Sequence, residues 1–129
     1  KLKKLNIWNQ KYIDIAQKYN NFLSNKIIKP ITKKGFKDIF HNYIIVVPEE
    51  IRDDLMSSLC EFGIETKIHY PIPLHLQKCA ASLGYQKGDI PNAEKLSKSM
   101  ISLPIYHTLE DIEIEYVIEY LNKLVKKYL

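Results

Sequence analysis

The densest concentration of groups able to hold a polar ligand is the nine-residue run His69-Tyr70-Pro71-Ile72-Pro73-Leu74-His75-Leu76-Gln77. Two imidazoles, a phenol and a carboxamide supply donors and acceptors suited to oxygen-rich ligands. Pro71 and Pro73 fix φ and exclude helix, so His69 and Tyr70 are presented from a stiff, extended segment at a reduced entropic cost of ordering. Two readings fit these residues: a rigid binding loop, or a proline-rich connector whose polar groups are simply exposed. His69 and His75, with His41 and His107 elsewhere, also raise the question of zinc. No HExxH, HxH or Cys/His pair at ligand spacing accompanies them, and no metal is expected. Cys60 and Cys79 form no CxxC, and Cys60 falls in a helical apolar pattern where small buried thiols are common. No GxSxG elbow surrounds a serine, so Ser/His/Asp chemistry is not expected. The carboxylate pairs Glu49/Glu50 and Asp53/Asp54 suit the positive end of a helix rather than acid–base work. His41, just before a buried strand, suits either a ligand contact or a hydrogen-bonded structural role.

The elements that must position these groups follow from periodicity. Leu5, Trp8, Tyr12, Ile15, Ala16, Tyr19, Phe22 and Leu23 recur at spacings of three and four, which predicts one long amphipathic helix over 2–24. The pattern fails from Asn25 to Asp38, a lysine-rich connection with Pro30 and Gly35. Tyr43 to Val47 is a β-branched run stopped by Pro48, the mark of a buried strand. A helix follows with Ile51, Leu55, Leu59 and Phe62 on its buried face and Gly63 as its left-handed terminator. Ile64, Thr66 and Ile68 alternate with polar residues and predict a second strand, leading into the proline segment. A short helix around Leu76, Ala80 and Leu83 ends at Gly84, another carries Ala93, Leu96 and Met100, and Ile101-Ser102-Leu103-Pro104 is a short, edge-like strand. Thr108 and Asp111 form a capping pair for a last helix bearing Ile114, Val117, Ile118, Leu121, Leu124, Val125 and Tyr128. The expected fold class is α+β, a two-layer α/β sandwich with helices covering one sheet face.

Composition removes several classes of function. The 129 residues are 46% hydrophobic and 26% charged, an ordinary globular balance with enough chain for one core. None of the four glycines forms GxGxxG or a P-loop, so no self-contained nucleotide-binding loop is present. Of 19 basic residues only Arg52 is arginine, which argues against phosphate and base-edge reading, and no nucleic-acid partner is expected. Residues 1–40 carry a net charge of +8 and the remainder −4, so the first segment is expected to face a different environment. No apolar run reaches membrane-spanning length, and no signal-peptide core follows the basic start, so a cytoplasmic protein is expected. The chain opens on Lys1 inside a helical pattern and is expected to be part of something longer.

Five stretches resemble the DegT-type PLP-dependent nucleotide-sugar aminotransferases: KLKKLNIWNQKYIDIAQKYNNFL, HNYIIVV, GIETKIHYPIPLHLQ, LGYQKGDIPNAEKLSKSMISLPIY and the terminal helix. The resemblance covers nearly the whole chain. It implies the C-terminal small domain of a type I aminotransferase fold, with 1–25 as an interdomain helix and 26–129 as the small α/β domain. It implies an intact homodimer that moves an amino group from glutamate to a dTDP- or UDP-linked keto-sugar for surface polysaccharide, with pyridoxal 5′-phosphate (PLP) bound by a large N-terminal domain. In the family a large-domain lysine forms the Schiff base, so no catalytic or cofactor-binding residue is assigned here, and the isolated chain is expected to be inactive. His69 and Tyr70 fall where the family's loop approaches the substrate, with His75 and Gln77 supporting that loop. Relatives often carry arginine where this chain has Val46, which removes an anion contact. The wording of the loop is closer to the branch acting on 3-keto sugars. A PLP-dependent sugar dehydratase of the same fold, with histidine in place of the Schiff-base lysine, and a stand-alone binding module are the alternatives.

Overall fold

In a computed structural model describing residues 1–129, a two-stranded antiparallel sheet carries the site and three long helices bury one of its faces. Helix α1 spans Leu5–Phe22, strand β1 Tyr43–Val46, helix α2 Glu49–Glu61, helix α3 Pro91–Ser99, strand β2 Met100–Leu103 and helix α4 Asp111–Tyr128. The strands pair in the register Tyr43↔Leu103, Ile44↔Ser102, Ile45↔Ile101 and Val46↔Met100. Alternation along β1 sends Tyr43 and Ile45 into the core. There they meet Ile15, Ala16 and Tyr19 of α1, Leu55 and Leu59 of α2, and Ile114, Val117, Leu121 and Val125 of α4. The expected α+β class with one covered sheet face is observed.

Side chains from outside α1 complete its C-terminus. Lys29 Nζ donates to Asn20 O at 3.1 Å and Leu23 O at 2.9 Å, and Asn122 of α4 donates to Phe22 O at 2.8 Å while accepting from Ser24 N at 2.7 Å. Orphan carbonyls are thereby satisfied and α1 is locked to α4. Helix α2 ends as expected: Gly63 takes φ +74°, and the Ile64 amide reaches back to Leu59 O at 2.9 Å.

Five local expectations are corrected. The strand expected over Ile64–Ile68 is a single antiparallel bridge, Lys67↔Ser102. In that register Glu65 stands opposite Pro104, which has no N–H to give, so the ladder cannot extend in that direction. Helix α4 is capped not by Thr108 and Asp111 but by Glu110 and Glu113, whose side chain accepts from the Glu110 amide at 2.8 Å. Leu109, buried in the core, holds the preceding turn and delays the helix start. Cys60 is exposed, because Leu55 and Leu59 define the inner face of α2 and the next residue turns away. Met100 leaves α3 and opens β2. Phe22 and Leu5, expected on the apolar stripe of the first helix, are 65% and 43% exposed, and only its C-terminal half is buried.

Candidate functional site

Where the third strand fails, a cleft of about 670 Å³ opens along the free edge of β2. Its walls are Gly63, Ile64, Glu65, Lys67 and His69 on one side, Ser102–Tyr106 along the strand edge, and Leu109, Ile112, Glu113, Tyr116 and Val117 on the side of α4, with Asn42 at one end. Apolar side chains make about half of this lining. Two hydrogen bonds stiffen the walls. Tyr19 donates to Pro104 O at 2.8 Å from within the core, and Tyr116 donates to Phe62 O at 3.1 Å across the gap between α4 and the end of α2. Burial pushes the Tyr19 and Tyr43 phenols well above their ordinary value.

His69 is the only one of the four sequence-derived candidates that lines this cleft. Its Nδ1 lies 2.7 Å from Ser102 Oγ, and Ser102 itself is 7% exposed in the middle of β2. The backbone of the same serine closes the bridge to Lys67, with Ser102 N donating to Lys67 O at 2.9 Å and Lys67 N to Ser102 O at 3.2 Å. Tyr70 follows directly, 64% exposed, its ring 6.4 Å from that of His69.

His75 and Gln77 lie beyond, in a pair of 3₁₀ turns, Leu74–Leu76 and Lys78–Leu83. Gln77 Nε2 donates to Ile72 O at 3.2 Å, closing the turn after the prolines. His75 is buried, its Nε2 3.1 Å from Glu94 Oε1. The same carboxylate oxygen accepts the Gly88 amide at 2.7 Å, so Glu94 ties the 3₁₀ turns and the 84–90 loop to α3. The Gly88 amide, foremost, and then His75 hold the Glu94 carboxyl below the usual glutamate range, against an opposing desolvation.

His41 is exposed and outside the cleft, and His107 packs on Trp8 at 4.8 Å between ring centroids. Val46 exchanges both backbone hydrogen bonds with Ile28. No group of His, Cys, Asp or Glu converges as a metal site. Sequence reasoning missed Ser102 and Glu94. The signal for Ser102 was a lone hydroxyl inside the apolar run Met100–Leu103; Glu94 looked like an ordinary first-turn acid.

The family model for the DegT/DnrJ/EryC1/StrS aminotransferase family matches residues 1–122. The chain belongs to this family. Among its relatives, a pleiotropic regulatory protein of Geobacillus stearothermophilus is 35% identical over 96% of this chain and 34% of its own length. The dTDP-3-amino-3,4,6-trideoxy-alpha-D-glucose transaminase of Streptomyces venezuelae is 34% identical over 85% of this chain and 29% of its own length. The crystal structure of S. venezuelae DesV in complex with a ketimine intermediate superposes with a TM-score of 0.91 at 31% identity, covering 97% of this chain and 34% of that one. The chain spans about a third of the length of the relatives it matches. No helix is long and apolar enough to cross a membrane.

Members of this family bind PLP, and structural neighbours of this chain are solved in PLP and PMP forms. A Schiff-base lysine needs its amine in a sheltered pocket. Among the lysines only Lys18 and Lys29 are half-buried; Lys18 pairs with Asp111 at 2.7 Å, and Lys29 holds the end of α1. Lys67 in the cleft is 63% exposed and paired with Glu65 at 3.2 Å.

Proposed function

We propose that this chain is the substrate-facing small domain of a nucleotide-sugar aminotransferase, and that His69 and Tyr70 donate hydrogen bonds to oxygens of a dTDP- or UDP-linked keto-sugar. The observation that carries the reading is His69 pinned on Ser102 at the edge of a cleft, with Tyr70 free beside it. A fixed imidazole and an exposed phenol on a proline-stiffened segment are ready to bind without further ordering. His75 and Gln77 support the segment through Glu94 and Ile72 O. The Schiff-base lysine and the PLP site belong to a large N-terminal domain of the same polypeptide, which acts as a cytoplasmic homodimer. Residues 1–25 link that domain to 26–129. Glutamate is the amino donor, position 3 of the sugar is the site aminated, and the product enters surface polysaccharide.

The test is steady-state kinetics on the complete polypeptide with a dTDP-linked 3-keto sugar. Each of His69→Phe and Tyr70→Phe removes about one hydrogen bond to a polar or charged oxygen, roughly 1–2 kcal/mol, or about fivefold to thirtyfold in KM. Unchanged KM in both variants refutes the assignment. The isolated chain supplies a second check: with PLP it forms no Schiff-base absorbance band sensitive to replacement of a single lysine.

A further inference from the structure

His69 reaches the cleft with one ring nitrogen already engaged, and that engagement decides what the other nitrogen can do. A neutral imidazole has one N–H and one bare nitrogen, so the bond at Nδ1 sets whether Nε2 donates or accepts. The partner at Nδ1 is Ser102 Oγ, 2.7 Å away and all but buried under the 67–69 segment. With both backbone bonds to Lys67 and the side-chain bond to His69, this serine holds the segment at three points. The bridge keeps the His69 backbone where its ring reaches the Ser102 hydroxyl.

The two tautomers are unequal in this setting. If Nδ1 is bare, the serine hydroxyl donates to it and neither of these two atoms is left unpaired. If Nδ1 carries the proton, the hydroxyl must accept, and its own hydrogen is left without an acceptor in a nearly buried position. We propose that Ser102 is a positioning residue that donates to His69 Nδ1 and so keeps the ring as the Nε2–H tautomer, a neutral donor aimed at an acceptor oxygen of the nucleotide-linked sugar. Such a donor can serve a keto, hydroxyl or phosphoryl oxygen and offers nothing to a protonated amine, which has no lone pair to accept. The proposal rests on the reading of His69 as a substrate contact.

The experiment has two arms. In the first, the chain is labelled with ¹⁵N-histidine and observed about two pH units above the ordinary histidine value of about 6.5, with His69 assigned by the loss of its signals in His69→Gln. The expected result is the Nε2–H tautomer in the native chain and in Ser102→Thr, and a shift toward the free-imidazole mixture in Ser102→Ala. A native His69 in the Nδ1–H form, or a tautomer indifferent to Ser102→Ala, overturns the proposal. In the second arm, the complete polypeptide is assayed with the dTDP-linked keto-sugar. Ser102→Ala is expected to raise KM by roughly fivefold to tenfold with kcat within about twofold, and Ser102→Thr to restore KM. If Ser102→Ala shifts the tautomer while His69→Phe leaves KM unchanged, the failure lies in the reading of His69 as a substrate contact. If His69→Phe raises KM and Ser102→Ala does not, the failure lies in the role given to Ser102.

Discussion

Replacing Tyr19 by phenylalanine removes a single oxygen from the centre of the molecule. Tyr19 has no exposed surface, its ring packs 4.9 Å from that of Tyr43, and its hydroxyl donates to Pro104 O at 2.8 Å, anchoring α1 to the residue that ends β2. Phenylalanine keeps the ring, so no cavity contributes. Two effects remain: the lost bond, about 1 kcal/mol net, and the half-buried Pro104 carbonyl left without this donor, about 1 kcal/mol more. The sum is about 2 kcal/mol. With a urea dependence of about 2 kcal/mol per molar for a chain of this size, the unfolding midpoint is expected to fall by about 1 M with the slope unchanged. Circular dichroism of the chain through a urea series measures it. A midpoint shift below about 0.2 M would refute the reasoning, because the hydroxyl would then be worth no more to the folded state than to solvent.

The same phenols define the alkaline limit. The folded values of Tyr19 and Tyr43 are raised by burial above an unfolded value near 10, so the folded chain retains protons that the unfolded chain releases. Stability is fully present below about pH 10 and falls as pH rises toward the folded values, by up to about 1.4 kcal/mol per pH unit for each phenol. Urea midpoints taken at rising pH should show this, and Tyr19→Phe should flatten the decline; an unaltered slope in the variant counts against it. At the acid end, Glu94 is lowered by the Gly88 amide and His75, so its contribution is present above the ordinary glutamate range and lost as pH falls through its depressed folded value. The amide shift of Gly88 followed against pH should report a midpoint below that range, and a midpoint at or above it would contradict the clasp.

The sequence made the helices legible because their signals are local and redundant. In α4 an apolar stripe, acids in the first turn and lysines in the last agree with one another. In α2, Pro48 at the start and Gly63 past the end mark both boundaries. The site was legible only in part. The proline-stiffened run identified the segment that carries His69 and Tyr70, but its anchors come from elsewhere in the chain: Ser102 lies 33 residues on, and Glu94 lies 19 residues beyond His75. Nothing in the spacing of His69 or His75 announces such partners, since hydrogen bonds across elements leave no periodic trace. Cys60 failed for a different reason. Apolar neighbours at helical spacing made it look buried, but a turn of 100° per residue carries the position after Leu59 off the inner face.

Pro104 joins these strands of the argument. Its missing N–H marks β2 as a short strand from the sequence alone, and that is what the fold shows. The larger consequence falls on the neighbouring segment. With Lys67 and Ser102 exchanging both bonds, the next rung would pair Glu65 with residue 104, and proline cannot donate to it. Glu65 and Pro104 instead face each other across open space as two walls of the cleft. On the far side of the bridge the next rung would pair His69 with Met100, but the chain bends at His69 and that rung does not form. One complete rung is left, and it lies beside His69: the Ser102 backbone bonds Lys67 and its hydroxyl lies 2.7 Å from the His69 ring. A full third strand would have closed the space against β2, whereas no bridge at all would have left His69 on a mobile loop. A single rung, stopped at Pro104 on one side and at the bend of His69 on the other, keeps the cleft open and the imidazole beside Ser102, the combination the proposed binding edge requires.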